Sequence, residues 1–235
     1  MVRALAKLTL SLRVTGVRPD GFHLIDAEMV TIDLADELAF SDGDGLFVDI
    51  VGGAAPVASD DSNLVRRALR AVGATAQVRL TKRIPAGGGL GGGSADAAAV
   101  LRWAGVDDRE TAAALGADVP FCLVGGRARV TGIGELIAPL PFEARTFTLL
   151  TPPFGVSTPA VYRAWDEMGG PPATGPNDLE PAALSVEPRL AAWRDRLGEA
   201  TGATPVLAGS GSTWFVEGAH PGPGLLVVYT ETPRG

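Results

Sequence analysis

From Lys7 to Thr15 the chain alternates without a break: Leu8, Leu10, Leu12 and Val14 are apolar, while Lys7, Thr9, Ser11, Arg13 and Thr15 are polar. A period of two marks a β-strand with one buried face. Lys7 is therefore expected on the open face, away from the core, where a lysine is ordinarily a solvated charge. Gly16 to Gly21 carries the proline and glycines of a turn, and Phe22-His23 opens the next extended segment. Leu24 to Leu34, Leu38 to Ser41 and Leu46 to Val51 follow as strands separated by turns, so the first fifty residues read as a meander.

Helical spacing takes over at Leu64. Leu64, Val65, Ala68, Leu69 and Val72 share one face, Ser62 or Asp61 stands at the capping position, and Gly73 ends the helix. Gln77 to Ile84 alternates again as a half-solvated strand and meets Pro85. After a glycine run, a helix is expected from near Ser94 to about Ala104, then a short one from Glu110 to Leu115. Strands are expected at Arg127 to Thr131, Leu136 to Pro139 and Phe147 to Thr151, and Pro152-Pro153 breaks the chain. Beyond it, Thr158 caps a helix with Pro159 at its first position, a Pro/Gly loop runs to Pro176, and a helix covers Pro188 to Leu197. A strand, the turn Gly209-Ser210-Gly211-Ser212, another strand and a last strand over Leu225 to Thr230 complete the order. β-rich first and mixed afterwards, this is an α+β protein of two lobes, 1–151 and 152–235.

The glycine run changes the picture from fold to chemistry. Pro85 to Asp96 holds six glycines and leads into an alanine-rich helix. Glycines let successive backbone N–H groups turn toward one anion, and the helix adds the positive end of its dipole. A P-loop would end in Gly-Lys-Ser/Thr, and no lysine stands before Ser94. Gly87, Gly89 and Gly92 satisfy G-x-G-x-x-G, but a half-solvated strand ending in proline is not the first strand of a dinucleotide fold. A flexible linker would not run into Ala97-Ala98-Ala99-Val100-Leu101. The expected ligand is a nucleoside triphosphate.

Charge narrows the partners. The 235 residues are 46% hydrophobic and 20% charged with a formal charge of −7, which supports a real core and disfavours nucleic acid or anionic membrane as a partner. No apolar leader and no stretch of about 20 apolar residues is seen, and the single Cys122 allows no intramolecular disulfide, so a cytoplasmic protein is expected. Three features stay open between two readings. Asp118, ahead of the apolar run Val119 to Val124, is either an oriented carboxylate or a helix N-cap. Phe22-His23 either engages a base or lies half-buried at the surface. Gly209 to Ser212 is either a second ligand loop or a hairpin turn.

Taken together, Ala6-Lys7-Leu8, Gly16 to His23, Ser62 to Val65, Lys82 to Ala99, Leu115 to Phe121, Gly132 to Glu135, Asn177 to Glu180 and Gly209 to Thr213 resemble the GHMP kinase superfamily. Within it they look most like the branch acting on 4-diphosphocytidyl-2-C-methyl-D-erythritol. The resemblance implies a two-lobed fold with a β-rich N-terminal ATP-binding lobe, a smaller C-terminal α/β lobe and the active site between them. It implies ATP-dependent phosphorylation of the 2-hydroxyl of that cytidine-diphosphate sugar alcohol in non-mevalonate isoprenoid synthesis, with ATP and Mg²⁺ as cofactors. Lys7 and Asp118 match the catalytic pair; Pro85, Ala86, Gly87, Gly88, Gly89, Leu90, Gly91, Gly92, Gly93, Ser94 and Ala95 match the ATP loop, with Ser94 the hydroxyl toward the metal. Thr9, Phe22, His23, Thr158 and Tyr162 match substrate positions. Thr9 stands where the family usually has Asn, and Phe22 where it often has Tyr. Another small alcohol as acceptor, or a catalytically silent nucleotide-binding homologue, are the alternatives, and a monomer or homodimer is expected.

Overall fold

The computed structural model describes residues 1–51 and 56–232; the last three residues of the predicted second lobe lie outside that range. Two sheets form the frame. In the first, β1 (Val2–Val17) and β2 (His23–Ser41) pair antiparallel along nearly their whole length, from Val17 opposite His23 to Val2 opposite Leu38. The other edge of β2 is shared between two strands: β4 (Gln77–Lys82) pairs with its C-terminal part and β5 (Arg127–Gly132) with its N-terminal part. β6 (Leu136–Leu140) adds to β5.

The expected meander is corrected at β3 (Gly45–Ile50), which does not pair with β2. It lies parallel to β4, which separates it from β2. Parallel neighbours need a crossover, and α1 (Leu64–Ala71) supplies it by laying Val65, Ala68 and Leu69 on the core. Its cap is Asn63, not Ser62 or Asp61: the Asn63 side chain accepts from Val65 N–H at 2.8 Å. The expected break between Leu34 and Leu38 is also absent. Asp36 sits fully buried inside β2 because the Lys82 ammonium reaches it from another element and the backbone N–H groups of Arg83 and Ile84 donate to it.

At the centre of this lobe lies α2 (Gly92–Trp103), packed against β1, α1, α3 (Arg109–Leu115) and α4 (Val119–Val124). Every residue from Ala95 to Leu101 is buried. A helix enclosed on all sides has no polar face to show, and alanine lets its neighbours approach closely. The helix starts two residues before Ser94, because the glycines themselves form its first turn.

The second sheet runs β10 (Leu226–Tyr229), β7 (Thr146–Leu150), β9 (Trp214–Glu217), β8 (Val206–Leu207), all antiparallel. β7, on the N-terminal side of a 151/152 division, pairs wholly within this sheet. Three helices accompany it: α5 (Thr158–Glu167), α6 (Glu180–Val186) and α7 (Leu190–Thr201). α6 is absent from the expected elements; its Pro181 stands in the first turn, where no N–H is needed. The N-cap position of α5 is held by Ser157, which frees Thr158 for another contact. The lobes are tied where Leu12 N–H donates to Pro176 O and its carbonyl accepts from Asp178 N–H, both at 2.9 Å. Among the described residues no helix is long and apolar enough to cross a membrane.

Candidate active site

Lys7 is not on an open face. It is 5% exposed, because the glycine loop covers that side of β1. Its backbone N–H donates to Leu90 O at 3.0 Å, and a Cβ at Gly91 would come within 2.8 Å of Lys7 Cγ. Alternation tells which residues share a face; it does not tell whether a distant loop lies over it. Beneath that loop Lys7 Nζ donates to Thr9 Oγ1 at 3.0 Å and stands 3.6 Å from Asp118 Oδ2. Asp118 occupies the capping position of α4, yet its side chain makes no capping bond. It turns toward the ammonium instead, and its side chain stays 35% exposed to the cavity. A buried cation and a reachable carboxylate therefore face one space. Burial pushes the Cys122 thiol behind them up to about 12, so it has no nucleophilic character.

The two glycine loops, far apart in sequence, form one wall. Thr213 N–H donates to Gly88 O at 3.1 Å. A Cβ on Gly89 would lie 2.3 Å from Ala208 O and 2.8 Å from Gly211 O, and Gly89 has φ +76°. The second loop is more than a hairpin turn. Asn177 Nδ2 donates to Leu207 O at 2.8 Å and Gly209 O at 2.6 Å, while the hydroxyls of Thr158 and Ser210 meet at 2.7 Å. Asn177 was not singled out from the sequence, although it stood in a matching segment. Gly89→Ala is expected to force these backbones apart, destabilising the protein by roughly 1–3 kcal/mol as overpacking does and weakening ATP binding. A thermal melt and an ATP titration on the same sample check it; an unshifted melt with unchanged affinity would remove the contact's importance.

A cavity of about 830 Å³ joins these parts. One end holds the glycine loop, Ser94, Lys7, Asp118 and the paired hydroxyls of Thr158 and Ser210; the other holds Phe22, His23 and Tyr162. Phe22 is exposed at the lip, and His23 packs on Tyr162 with ring centroids 4.5 Å apart. Burial, and then the charge of Asp118, hold the Tyr162 phenol above its ordinary range. Asp118 is thus felt at both ends.

Next to the loop lies a charge cluster that the sequence reading missed. Lys82, the last residue of β4, bridges Asp36 on β2 and Asp96 on α2, the latter at 2.8 Å; all three are almost wholly buried. Asp36 also accepts from Ile84 N–H at 2.8 Å, where the chain enters the loop. Both ends of the loop are thereby fastened to one ammonium. A Cβ on Gly92 would come within 3.1 Å of Lys82 Nζ, so the glycine admits the lysine. Burial raises the Asp96 pKa; the Lys82 charge opposes this and that of Asp36 adds to it. Asp96 Oδ1 is buried without a partner.

No group of three or more acidic, His or Cys side chains suited to a metal occurs among the described residues. Ser94, where the loop passes into α2, still suits a magnesium ion carried mainly by nucleotide phosphates, because such ions take few protein ligands.

Known proteins resemble this chain in sequence and in fold. Residues 63–126 match the family described as GHMP kinases N terminal domain. The 4-diphosphocytidyl-2-C-methyl-D-erythritol kinase of Paracoccus denitrificans is 40% identical over 230 residues, spanning 89% of this chain and 84% of that protein. The chain belongs to this kinase family. The Cereibacter sphaeroides (strain ATCC 17029) member is 38% identical over 243 residues, covering 90% and 87% of the two chains. A crystal structure of 4-(cytidine 5'-diphospho)-2C-methyl-D-erythritol kinase superposes with TM-score 0.75 at 31% identity, over 97% of this chain and 98% of the other. The two-lobed α+β architecture is that of the kinase family.

Proposed function

We propose that the protein transfers the γ-phosphoryl group of ATP to the 2-hydroxyl of 4-diphosphocytidyl-2-C-methyl-D-erythritol, a step of non-mevalonate isoprenoid synthesis in the cytoplasm. The observation that carries this reading is the position of the Lys7–Asp118 pair, in a cavity with an anion cradle at one end and an aromatic recess at the other.

The cradle amides from Gly87 to Ala95, at the N-terminus of α2, hold the ATP phosphates. An alcohol is a poor nucleophile until oriented and relieved of its proton. Asp118 accepts that proton as the new O–P bond forms, and the bond from the γ-phosphorus to the bridging oxygen breaks with its electron pair left on ADP. Lys7 keeps the carboxylate oriented and offsets negative charge on the transferring group. Thr9, whose hydroxyl accepts from Lys7, fixes the lysine as well as bordering the substrate. Magnesium, held with Ser94, would neutralise phosphate charge. At the far end Phe22 stacks on the cytosine and His23 reads it; Thr158 and Tyr162 border the sugar alcohol.

The test is ADP release from Mg-ATP with that acceptor. Saturable, acceptor-dependent release supports the reading. ATP binding without release, and release with another small alcohol instead, would each overturn it.

A further inference from the structure

His23, at the start of β2, has one ring nitrogen already engaged: Nε2 lies 2.8 Å from Asp166 Oδ1. The ring is confined by Tyr162 at 4.5 Å and by the edge of Trp165 at 5.7 Å between centroids, and its side chain is only 10% exposed. Asp166 follows Tyr162 by four positions on α5, so both reach the same helix face, and Arg163 beside them also borders the cavity. A carboxylate accepts hydrogen bonds and has none to donate, so Nε2 carries the hydrogen. In the neutral ring Nδ1 is then a bare acceptor. Among the described residues the ring makes its one side-chain hydrogen bond through Nε2, and none reaches Nδ1.

We infer that Asp166 makes His23 a hydrogen-bond acceptor toward the aromatic recess, and so selects a base with an exocyclic amine, cytosine over uracil. This rests on the reading that the recess takes the base of the acceptor nucleotide. Cytosine presents N–H groups at the position where uracil presents a carbonyl oxygen. Toward Nδ1 the amine makes a bond, whereas the carbonyl sets lone pairs against a lone pair, and both acceptors lose their water. Asp166 need not touch the nucleotide. It is a positioning residue, acting through the tautomer of His23.

The experiment is a calorimetric titration of the full chain with CDP and with UDP, the adenine-nucleotide site being filled by a non-hydrolysable ATP analogue. The wild type should prefer CDP. In Asp166→Asn, whose amide can either donate or accept and so leaves the ring free to present either tautomer, the CDP/UDP ratio should fall roughly tenfold; Asp166→Glu should keep most of it. Because Asp166 is about half exposed, its replacement should leave the fold intact, which a thermal melt checks. Nitrogen-15 spectra should show Nδ1 of His23 without hydrogen in the wild type, with a His220→Gln variant assigning the signal. A wild type without preference, an unchanged ratio in Asp166→Asn, or hydrogen on Nδ1 would each overturn the inference. Loss of kinase turnover with the CDP preference intact would count against the proposed reaction and leave this inference standing.

Discussion

Asp118→Asn should lower kcat by about 10²–10⁴-fold, the usual contribution of a positioned general base, while the dissociation constant for ATP should move only a few-fold. The amide has the shape of the carboxylate but cannot take a proton from an alcohol. It also leaves the buried Lys7 ammonium without the charge that faces it at 3.6 Å. In the proposed reading the ATP phosphates are held by loop amides that the substitution does not touch, so binding and turnover should separate. A coupled assay for ADP beside an ATP titration reads both. Equal loss of affinity and rate would place Asp118 in ligand binding, and undiminished turnover would remove it from the chemistry altogether.

Lys82→Met is expected to cost about 3–5 kcal/mol of folding stability, the effect of removing one partner of a buried ion cluster. Met fills nearly the same volume, so the loss is electrostatic: Asp36 and Asp96 face each other with no cation between them. Urea unfolding across pH distinguishes this from simple misfit. Asp96 already has its pKa raised to about 7, chiefly by burial. A carboxylate whose folded value lies above the unfolded one, near 3.9, contributes stability fully present below about pH 4 and lost as pH rises through about 7. Without Lys82 the Asp96 carboxyl loses the charge that opposes its rise, so the deficit of the variant should narrow at pH 5 and widen at pH 8. Asp96→Asn, which removes one ionisation, should flatten the pH dependence of the Lys82→Met background. A pH-independent deficit would mean that Lys82 acts only by packing.

The legible parts of this protein are those whose signal is local. The alternation of β1 is carried by neighbouring residues, and the glycine loop advertises its backbone freedom. What stayed hidden depends on contacts between distant segments. Lys7 looked solvated because its cover comes from Leu90 and Gly91. Asp36 looked like a break in a strand because its partner lies 46 residues away. Asp166, 143 residues from His23, had no pattern of its own. The pairing of β3 with β4 could not be read from strand spacing, since the spacing of strands does not say which edge each one joins. Asp118 was legible as a position and ambiguous as a role, and the bond it does not make to its own helix is what separates the two readings.

The contact of Thr213 with Gly88 also bears on when during synthesis this site comes into being. A nascent chain can fold β1, β2 and α2 and still lack one wall of the anion cradle. Until the segment around Thr213 has left the ribosome and docked, the proposed ATP cradle lacks one wall, so a nucleotide bound there would brace the finished molecule and not its early folding.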